Sequence, residues 1–435
     1  MIIIDTALIQ RQSKNNPLRI GIIGAGSMGQ GTVLTIETAI PGMEVGAIYN
    51  RGLAKARKAF DQAGVTNYIE VKDLAEADLA MGDGKRVISS DPKIVCRMKA
   101  LDVIIEITGE VEFGAKVTLD AIRHKKHVVL LNAELDATIG PILKVHADQQ
   151  GVILTNADGD QPGVLMNLFR FVTTIGYRPV LAGNIKGMLD HHLTPKTQKA
   201  WAEKHNQNPF MVTSFADGTK LAMEMAVVAN ATGFRTGQRG MAGPACKSVQ
   251  EALDLFPLED LLNGGRVDYI LGAEPGPGVF IIGYNNNPAL KPYMPVFKMG
   301  DGPYYLFYVP YHLPHLEVPL TAARAALFND AAITPQHGPV CEVVTLAKKR
   351  LKKGTRLDGI GGFTCYGTLE NTDVSYRENL LPMGLSKDCI LLRNVAKDQP
   401  ITLDHVEMPA KRLSHRLWKE QMNYFNLENN AGEPS

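Results

Sequence analysis

This 435-residue chain has no disulfide framework and no structural zinc motif. Its five cysteines (Cys96, Cys246, Cys341, Cys365 and Cys389) are scattered, odd in number and contain no Cys-x-x-Cys pair. That usage suits a reducing, cytoplasmic setting. No stretch approaches the ~20 consecutive apolar residues that span a bilayer. Asp5 interrupts the apolar opening at residues 1–4 before it can serve as a signal-peptide core. A soluble protein with no membrane partner is therefore expected. Charge of one sign is also lacking: 46 Lys+Arg stand against 45 Asp+Glu, for a net charge of +1, so no nucleic-acid-binding face is indicated. The basic cluster Lys348-Lys349-Arg350 with Lys352-Lys353 reads as a solvated face or turn. Internal repeats and long low-complexity segments are absent as well.

What is present is the composition of a globular protein, 45% hydrophobic and 21% charged, in a chain long enough for two or three domains. Short apolar runs at 18–24, 44–49, 101–107, 127–131 and 151–155 have the character of buried parallel strands. Helical patterns at 28–38, 52–63, 114–123 and 139–149 fall between them. Strands alternating with helices imply βαβ units, so an α/β fold is expected, with a doubly wound, NAD(P)-binding Rossmann domain over 1–160. Beyond it the pattern mixes. A strand at 210–215 enters the turn Ala216-Asp217-Gly218, residues 220–231 read as strand or helix, and a strand at 276–282 follows a glycine-proline turn. An α+β substrate and oligomerisation domain is expected over 161–340, and with it a homo-oligomer. Short strands at 343–347, 388–392 and 397–401 predict a small β-rich module over 341–410 that folds as its own unit. Residues 411–435 remain as a tail, polar and frayed over 426–435.

The strongest motif is Gly24-Ala25-Gly26-Ser27-Met28-Gly29, placed where a strand opens into a helix. Gly24 allows the tight turn, Gly26 lets backbone N–H groups approach a pyrophosphate, and Gly29 permits close packing of helix on strand. The helix N-terminus, with Ser27 and Met28, then presents N–H groups and a positive dipole end to the phosphates. The second strand ends in Asn50-Arg51 where an acidic residue would bind the ribose 2′-hydroxyl. Arg51 pairs with a 2′-phosphate in one reading and is a solvated arginine opening the next helix in the other. The first favours NADP, with NAD as the alternative. Thr108-Gly109 and Asn132 follow later strands at the edge where ligands collect, and complete the expected cofactor set.

Residues 104–110 (IIEITGE), 128–134 (VVLLNAE) and 183–187 (GNIKG) resemble the homoserine dehydrogenase superfamily. A closer resemblance is to 1-deoxy-D-xylulose 5-phosphate reductoisomerase-like proteins, through 157–160, 215–233, 276–280 and 310–323. The Lys353-Gly354 turn and the 380–384 segment, within about 343–408, resemble the SAF, or antifreeze-like, β-clip domain. No ACT-type regulatory module is apparent, and the distinctive segment 188–208 falls where a substrate loop is expected.

The resemblance places Lys186 in the lysine region of homoserine dehydrogenases, where an ammonium stabilises or protonates a developing alkoxide. Otherwise it is a surface lysine. Asp190 and Glu224 orient substrate hydroxyls or bind a cation, against readings as a helix-capping loop residue and a structural salt bridge. Asp158 and Asp160 line the substrate site or simply form a turn. Adjacent histidines in an extended segment point opposite ways, and Pro314 interrupts His312-x-x-His315, so no metal site is expected. His192 and His312 are instead candidates to contact a substrate oxygen or phosphate. The activity expected is an NAD(P)-dependent dehydrogenase or reductoisomerase acting on a small polyhydroxy carbonyl compound, phosphorylated or not. A homoserine dehydrogenase and a cofactor-binding regulatory protein that has lost catalysis are the alternatives.

Overall fold

A computed structural model describes residues 3–205 and 207–427. The chain forms two compact units, Met1–Asp160 with Leu313–Thr334, and Gln161–His312 with Pro335–Ser435. In the first, seven parallel strands alternate with helices. The strands are β1 (Leu18–Ile23), β2 (Met43–Tyr49), β3 (Tyr68–Glu70), β4 (Arg86–Ser89), β5 (Val103–Glu106), β6 (His127–Leu130) and β7 (Leu154–Asn156). The helices are α1 (Ile4–Ser13), α2 (Ser27–Ala39), α3 (Leu53–Gln62), α4 (Leu74–Gly82), α5 (Pro92–Arg97), α6 (Val111–Arg123) and α7 (Ala133–Gln150).

The sheet order is β3-β4-β2-β1-β5-β6-β7. The winding reverses between β1 and β5, and ligands of such sheets lie outside the carboxyl ends of the strands at that switch point. The central strands are buried on both faces, which explains why they read as continuous apolar runs. The unit is completed late in the chain by the helix Pro314–Phe328, the thirteenth in chain order, which packs against α2 and α1. Its Val318, Ala322 and Ala323 join the same core as Ile20, Ile22 and Val33. The expected contiguous domain over 1–160 is therefore one helix short of the observed unit.

In the second unit, β8 (Arg178–Lys186), β9 (Arg266–Leu271), β10 (Gly278–Tyr284) and β11 (Tyr304–Val309) form a sheet of order β11-β10-β8-β9. Only the β8–β9 pairing is parallel. Helices α8 (Gln161–Thr174), α9 (Pro195–Lys204), α10 (Pro209–Ala216), α11 (Thr219–Thr232) and the single-turn α12 (Ala252–Leu255) belong to this unit. The strand expected at 210–215 is helix α10: Pro209 sits at its first turn, and the Asn208 side chain caps it by accepting from the Phe210 N–H. Residues 220–231 are helical too, within α11, which is buried along nearly its whole length.

After α13 (Pro314–Phe328), β12 (Cys341–Ala347) and β13 (Cys365–Asn371) pair antiparallel and pack on α11. The Gly367 N–H donates to Thr219 Oγ1 at 2.8 Å. The module is thus joined to a shared core, although Leu351, Leu357, Cys389, Leu391 and Ile401 form a small cluster of their own. The 388–392 expectation reduces to β14 (Ile390–Leu391), paired with β15 (Val406–Glu407), and 397–401 forms only an isolated bridge at Pro400. Helix α14 (Thr372–Arg377) follows β13, and α15 (Leu413–Tyr424) occupies the expected tail. Residues 428–435 of that tail lie outside the described residues.

Candidate active site

The fingerprint turn has the tight geometry its glycines allow. Gly24 has φ +111°. A Cβ on Gly29 would drive into the Gly24 carbonyl oxygen and stand 3.1 Å from its carbon, so helix and turn touch backbone to backbone. A Cβ on Gly26 would meet nothing within 4 Å. Gly26 is the N-cap of α2 and supplies no side-chain cap, so the first N–H groups of the helix have no capping side chain. An open cradle with N–H donors and a positive dipole end fits a pyrophosphate. Asn50 supports the cradle from β2: its Oδ1 accepts from the Ala25 N–H at 3.0 Å, and its Nδ2 donates to the Gly52 carbonyl at 2.8 Å. Its amide is spent on holding two loops together. Arg51, beside it, is exposed.

On the other side of β1, a buried carboxylate gathers Thr108 and Asn132. Glu106, at the end of β5, is 0% exposed. Its Oε1 accepts from the Thr108 N–H at 3.0 Å and from the Thr108 hydroxyl, and its Oε2 accepts from Asn132 Nδ2 at 2.6 Å. Asn132 Oδ1 in turn caps α7 by accepting from the Leu135 N–H at 3.1 Å. Burial pushes the Glu106 carboxyl up to about 7, against the opposing pull of these donors. Glu106 has one local mark in the sequence, an acid inside the apolar run 101–107, and is absent from the expected cofactor set. Gly109 follows with φ +65°.

Asp158 is held in an ion pair. Arg324 of α13 reaches it at 3.1 Å, and Thr321 donates its hydroxyl to Asp158 Oδ2 at 3.2 Å. That geometry ties α13 to the end of β7 and gives Asp158 a structural task. Asp160, two residues on, is also buried.

In the second unit, β8 and α11 bring Lys186 and Glu224 together with three buried polar groups. Asn184 Nδ2 donates to Glu224 Oε2 at 3.4 Å and also to Gln161 Oε1, while Gln161 Nε2 donates back to Asn184 Oδ1 at 3.2 Å. Lys220 lies one turn before Glu224 on the same helix face and is also buried. Desolvation holds the Lys186 ammonium below its usual range, opposed by the Glu224 and Asp217 carboxylates. An amine so placed can give or take a proton nearer neutrality than a surface lysine.

Asp190 and His192 follow β8, where the Asp190 N–H donates to the Ala216 carbonyl at 2.9 Å. Asp190 is exposed, and its Oδ1 accepts from the His192 N–H at 2.9 Å. His192 Nε2 lies 2.9 Å from Asp398 Oδ1, to which the Tyr366 hydroxyl donates at 3.2 Å. The neighbouring His191 stacks on Tyr366 with ring centroids 4.6 Å apart. His312 is half-buried before α13. The basic cluster contains one reversal. Lys348 is buried, because its Nζ donates to Asp217 Oδ2 at 2.8 Å and to the Leu193 and Gly362 carbonyls at 2.7 and 2.9 Å. It is not part of a solvated face: its three protons have three fixed acceptors.

Comparison with known proteins bears on the second unit first. Residues 159–318 match the family described as oxidoreductase DRL, catalytic domain. That stretch carries Asp160, Lys186, Asp190, His192, Glu224 and His312 and leaves out the fingerprint. The homoserine dehydrogenases of Bacillus subtilis (strain 168) and Synechocystis sp. are 31% and 29% identical over 140 and 141 residues, each covering 31% of this chain. The chain spans 28% of the length of these curated relatives. Among solved structures, the apo scyllo-inositol dehydrogenase of Lactobacillus casei aligns over 72% of this chain and 89% of its own, at 14% identity and TM-score 0.41. The biliverdin reductase of Synechocystis sp. PCC 6803, in complex with biliverdin and NADP+, aligns over 67% of this chain and 80% of its own, at 15% identity and TM-score 0.36. Neither likeness is close enough to say what this chain binds. No helix among the described residues is long and apolar enough to cross a membrane.

Proposed function

We propose that the chain is an NAD(P)-dependent oxidoreductase, a dehydrogenase or reductoisomerase, acting on a small polyhydroxy carbonyl compound, phosphorylated or not. The observation that carries this reading is the Gly24–Gly29 turn: packed shut at Gly29, open at Gly26, and leading into a helix N-terminus with no capping side chain. Ser27 and Met28 offer the first N–H groups to the pyrophosphate, Thr108, Gly109 and Asn132 frame the nicotinamide side, and the bound nicotinamide supplies the hydride. The exposed Arg51 favours NADP by pairing with a 2′-phosphate, with NAD as the alternative.

Lys186 Nζ stabilises the developing alkoxide or delivers its proton, and Glu224 and Asn184 hold substrate hydroxyls. Asp160, Asp190, His192 and His312 are further substrate contacts in this reading, while Asp158 serves α13. The curated relatives favour homoserine oxidation as a second reading. The small cluster and short strand pairs of 343–408 support the SAF-like likeness, with the module as a lid or interface in a homo-oligomer. Five free cysteines suit a cytoplasmic setting.

The test is a screen of carbonyl and hydroxy compounds, homoserine included, followed by absorbance of the reduced nicotinamide. Lys186→Ala should lower kcat by about 100-fold while dinucleotide affinity stays intact. Near-normal turnover would make it a structural lysine. Bound dinucleotide with no turnover of any compound would favour a protein that has lost catalysis.

A further inference from the structure

Another valine or isoleucine at position 106 would hold strand β5 about as well as an acid. A buried carboxylate is expensive unless every lone pair finds a donor, and even then an apolar residue is often at least as stable. The other three residues of the strand, Val103, Ile104 and Ile105, are buried and apolar. Folding alone therefore does not account for Glu106.

Its partners do. The Thr108 N–H and hydroxyl and the Asn132 amide all converge on this one carboxylate, from the loops that leave β5 and β6 at the ligand edge of the sheet. The turn it holds lies directly against the fingerprint: a Cβ on Gly24 would come within 3.0 Å of the Ile107 carbonyl oxygen and 3.3 Å of the Thr108 methyl group. Helix α6 seats on the same group, since a Cβ on Gly114 would stand 3.0 Å from Asn132 Nδ2 and 3.5 Å from Glu106 Oε2.

When ionised, which burial delays to above about pH 7, the Glu106 carboxylate only accepts hydrogen bonds, so it also fixes direction. Thr108 spends its hydroxyl proton on Glu106, and its oxygen, which takes a long bond of 3.4 Å from the Glu110 N–H, is left able only to accept. Asn132 is fixed at both ends of its amide, by Glu106 and by the Leu135 N–H. An oriented acceptor suits a primary carboxamide, which offers two N–H donors.

We infer that Glu106 is a positioning residue for the nicotinamide carboxamide of the dinucleotide, acting through the Thr108–Gly109 turn and Asn132. The inference rests on the dinucleotide reading above. It separates two halves of one ligand: the adenine–pyrophosphate half depends on the Gly24–Gly29 turn, and the nicotinamide half on Glu106.

Calorimetric titration of the full chain with NADPH and with its adenine-side fragment, 2′-phospho-ADP-ribose, tests this, with NADH and ADP-ribose run in parallel. Glu106→Gln is close to isosteric and keeps one acceptor, but it turns a second partner position into a donor. It should weaken NADPH about tenfold or more and leave the fragment within about twofold. Thr108→Val, which removes the presented hydroxyl and with it one donor to Glu106 but keeps the Thr108 N–H and Asn132 bonds, should show the same split. Equal weakening of both ligands in both variants would make Glu106 a support for the whole fold, and unchanged NADPH affinity would leave it no role at the cofactor; either result overturns the inference. If the unaltered chain binds none of the four ligands, the dinucleotide reading itself fails and takes this inference with it.

Discussion

Two alanine substitutions three residues apart should have opposite effects, and together they test whether the fingerprint turn holds a pyrophosphate. At Gly29 the added methyl group meets the Gly24 carbonyl, which is backbone and cannot rotate away. Either the turn or α2 must shift by roughly 1 Å, and α2 is anchored by buried Thr32, Val33 and Ile36. Overpacking of this kind costs about 1–3 kcal/mol. Gly29→Ala should therefore lose stability and dinucleotide affinity together.

At Gly26 the backbone has φ −71° and ψ −166°, which any residue adopts, and the methyl group enters open space. Stability should hold or rise by about 0.4–1 kcal/mol as the unfolded chain loses freedom. The same methyl group occupies the approach to the helix N–H groups. Losing one or two hydrogen bonds to a charged phosphate removes roughly 1.5–3 kcal/mol each, which raises Kd about tenfold to a hundredfold or more. Urea denaturation gives the first quantity and calorimetry with NADPH the second. A Gly26→Ala protein that binds NADPH as tightly as the unaltered chain would refute the pyrophosphate site.

Arg51→Glu should lower NADPH affinity about tenfold or more relative to NADH, and equal affinities of the unaltered chain for the two would remove the NADP assignment. Lys348→Met leaves the Asp217 carboxylate buried without its ammonium, so urea denaturation should report a loss of about 3–5 kcal/mol; less than 1 kcal/mol would mean that Asp217 finds water or takes up a proton cheaply. Burial pushes the Glu342 carboxyl, which accepts from the Ser375 hydroxyl, up from an ordinary 4.5 to about 7. The folded state then holds a proton that the unfolded state has released, so this group lowers stability as pH rises from about 4.5 to about 7, by up to roughly 3 kcal/mol above that window. Glu342→Gln should flatten that stretch of the stability profile, and an unchanged slope would assign it to other groups.

The residues easiest to read were those whose reason is local. The fingerprint glycines announce themselves because a turn, a close approach and an open cradle each demand glycine at a set spacing. The runs ending in Gly24 and around 103–106 were legible because parallel strands are apolar on both faces. By contrast, β3 and β4 are short, and nothing in their flanks marks them as strands. Residues 210–215 look extended by composition, yet Pro209 and Asn208 start a helix, and those two residues carried the signal. Lys348 sat in a run of charges that is solvated in most proteins. Its burial depends on Asp217, more than a hundred residues away, and no local pattern encodes that pair. Glu106 was hidden for the same reason: its partners Thr108 and Asn132 look ordinary until the sheet sets β5 beside β6.

Helix α13 has a consequence for the order in which the molecule is made. The strands of the first unit are all synthesised by residue 156, but the helix that fills the space beside α2, and the arginine that neutralises Asp158, arrive only at 314–328. Ile333 then closes on β7, where its carbonyl accepts from the Asn156 N–H. A ribosome must therefore extrude some 150 further residues while Val33 and Ile36 wait for part of their packing. During that interval the nascent first unit presents an apolar groove and an unneutralised aspartate at its ligand edge. Fragments ending near residue 160 should behave as sticky, partly ordered chains, and a fragment of 313–334 supplied in trans is the natural reagent to make them soluble.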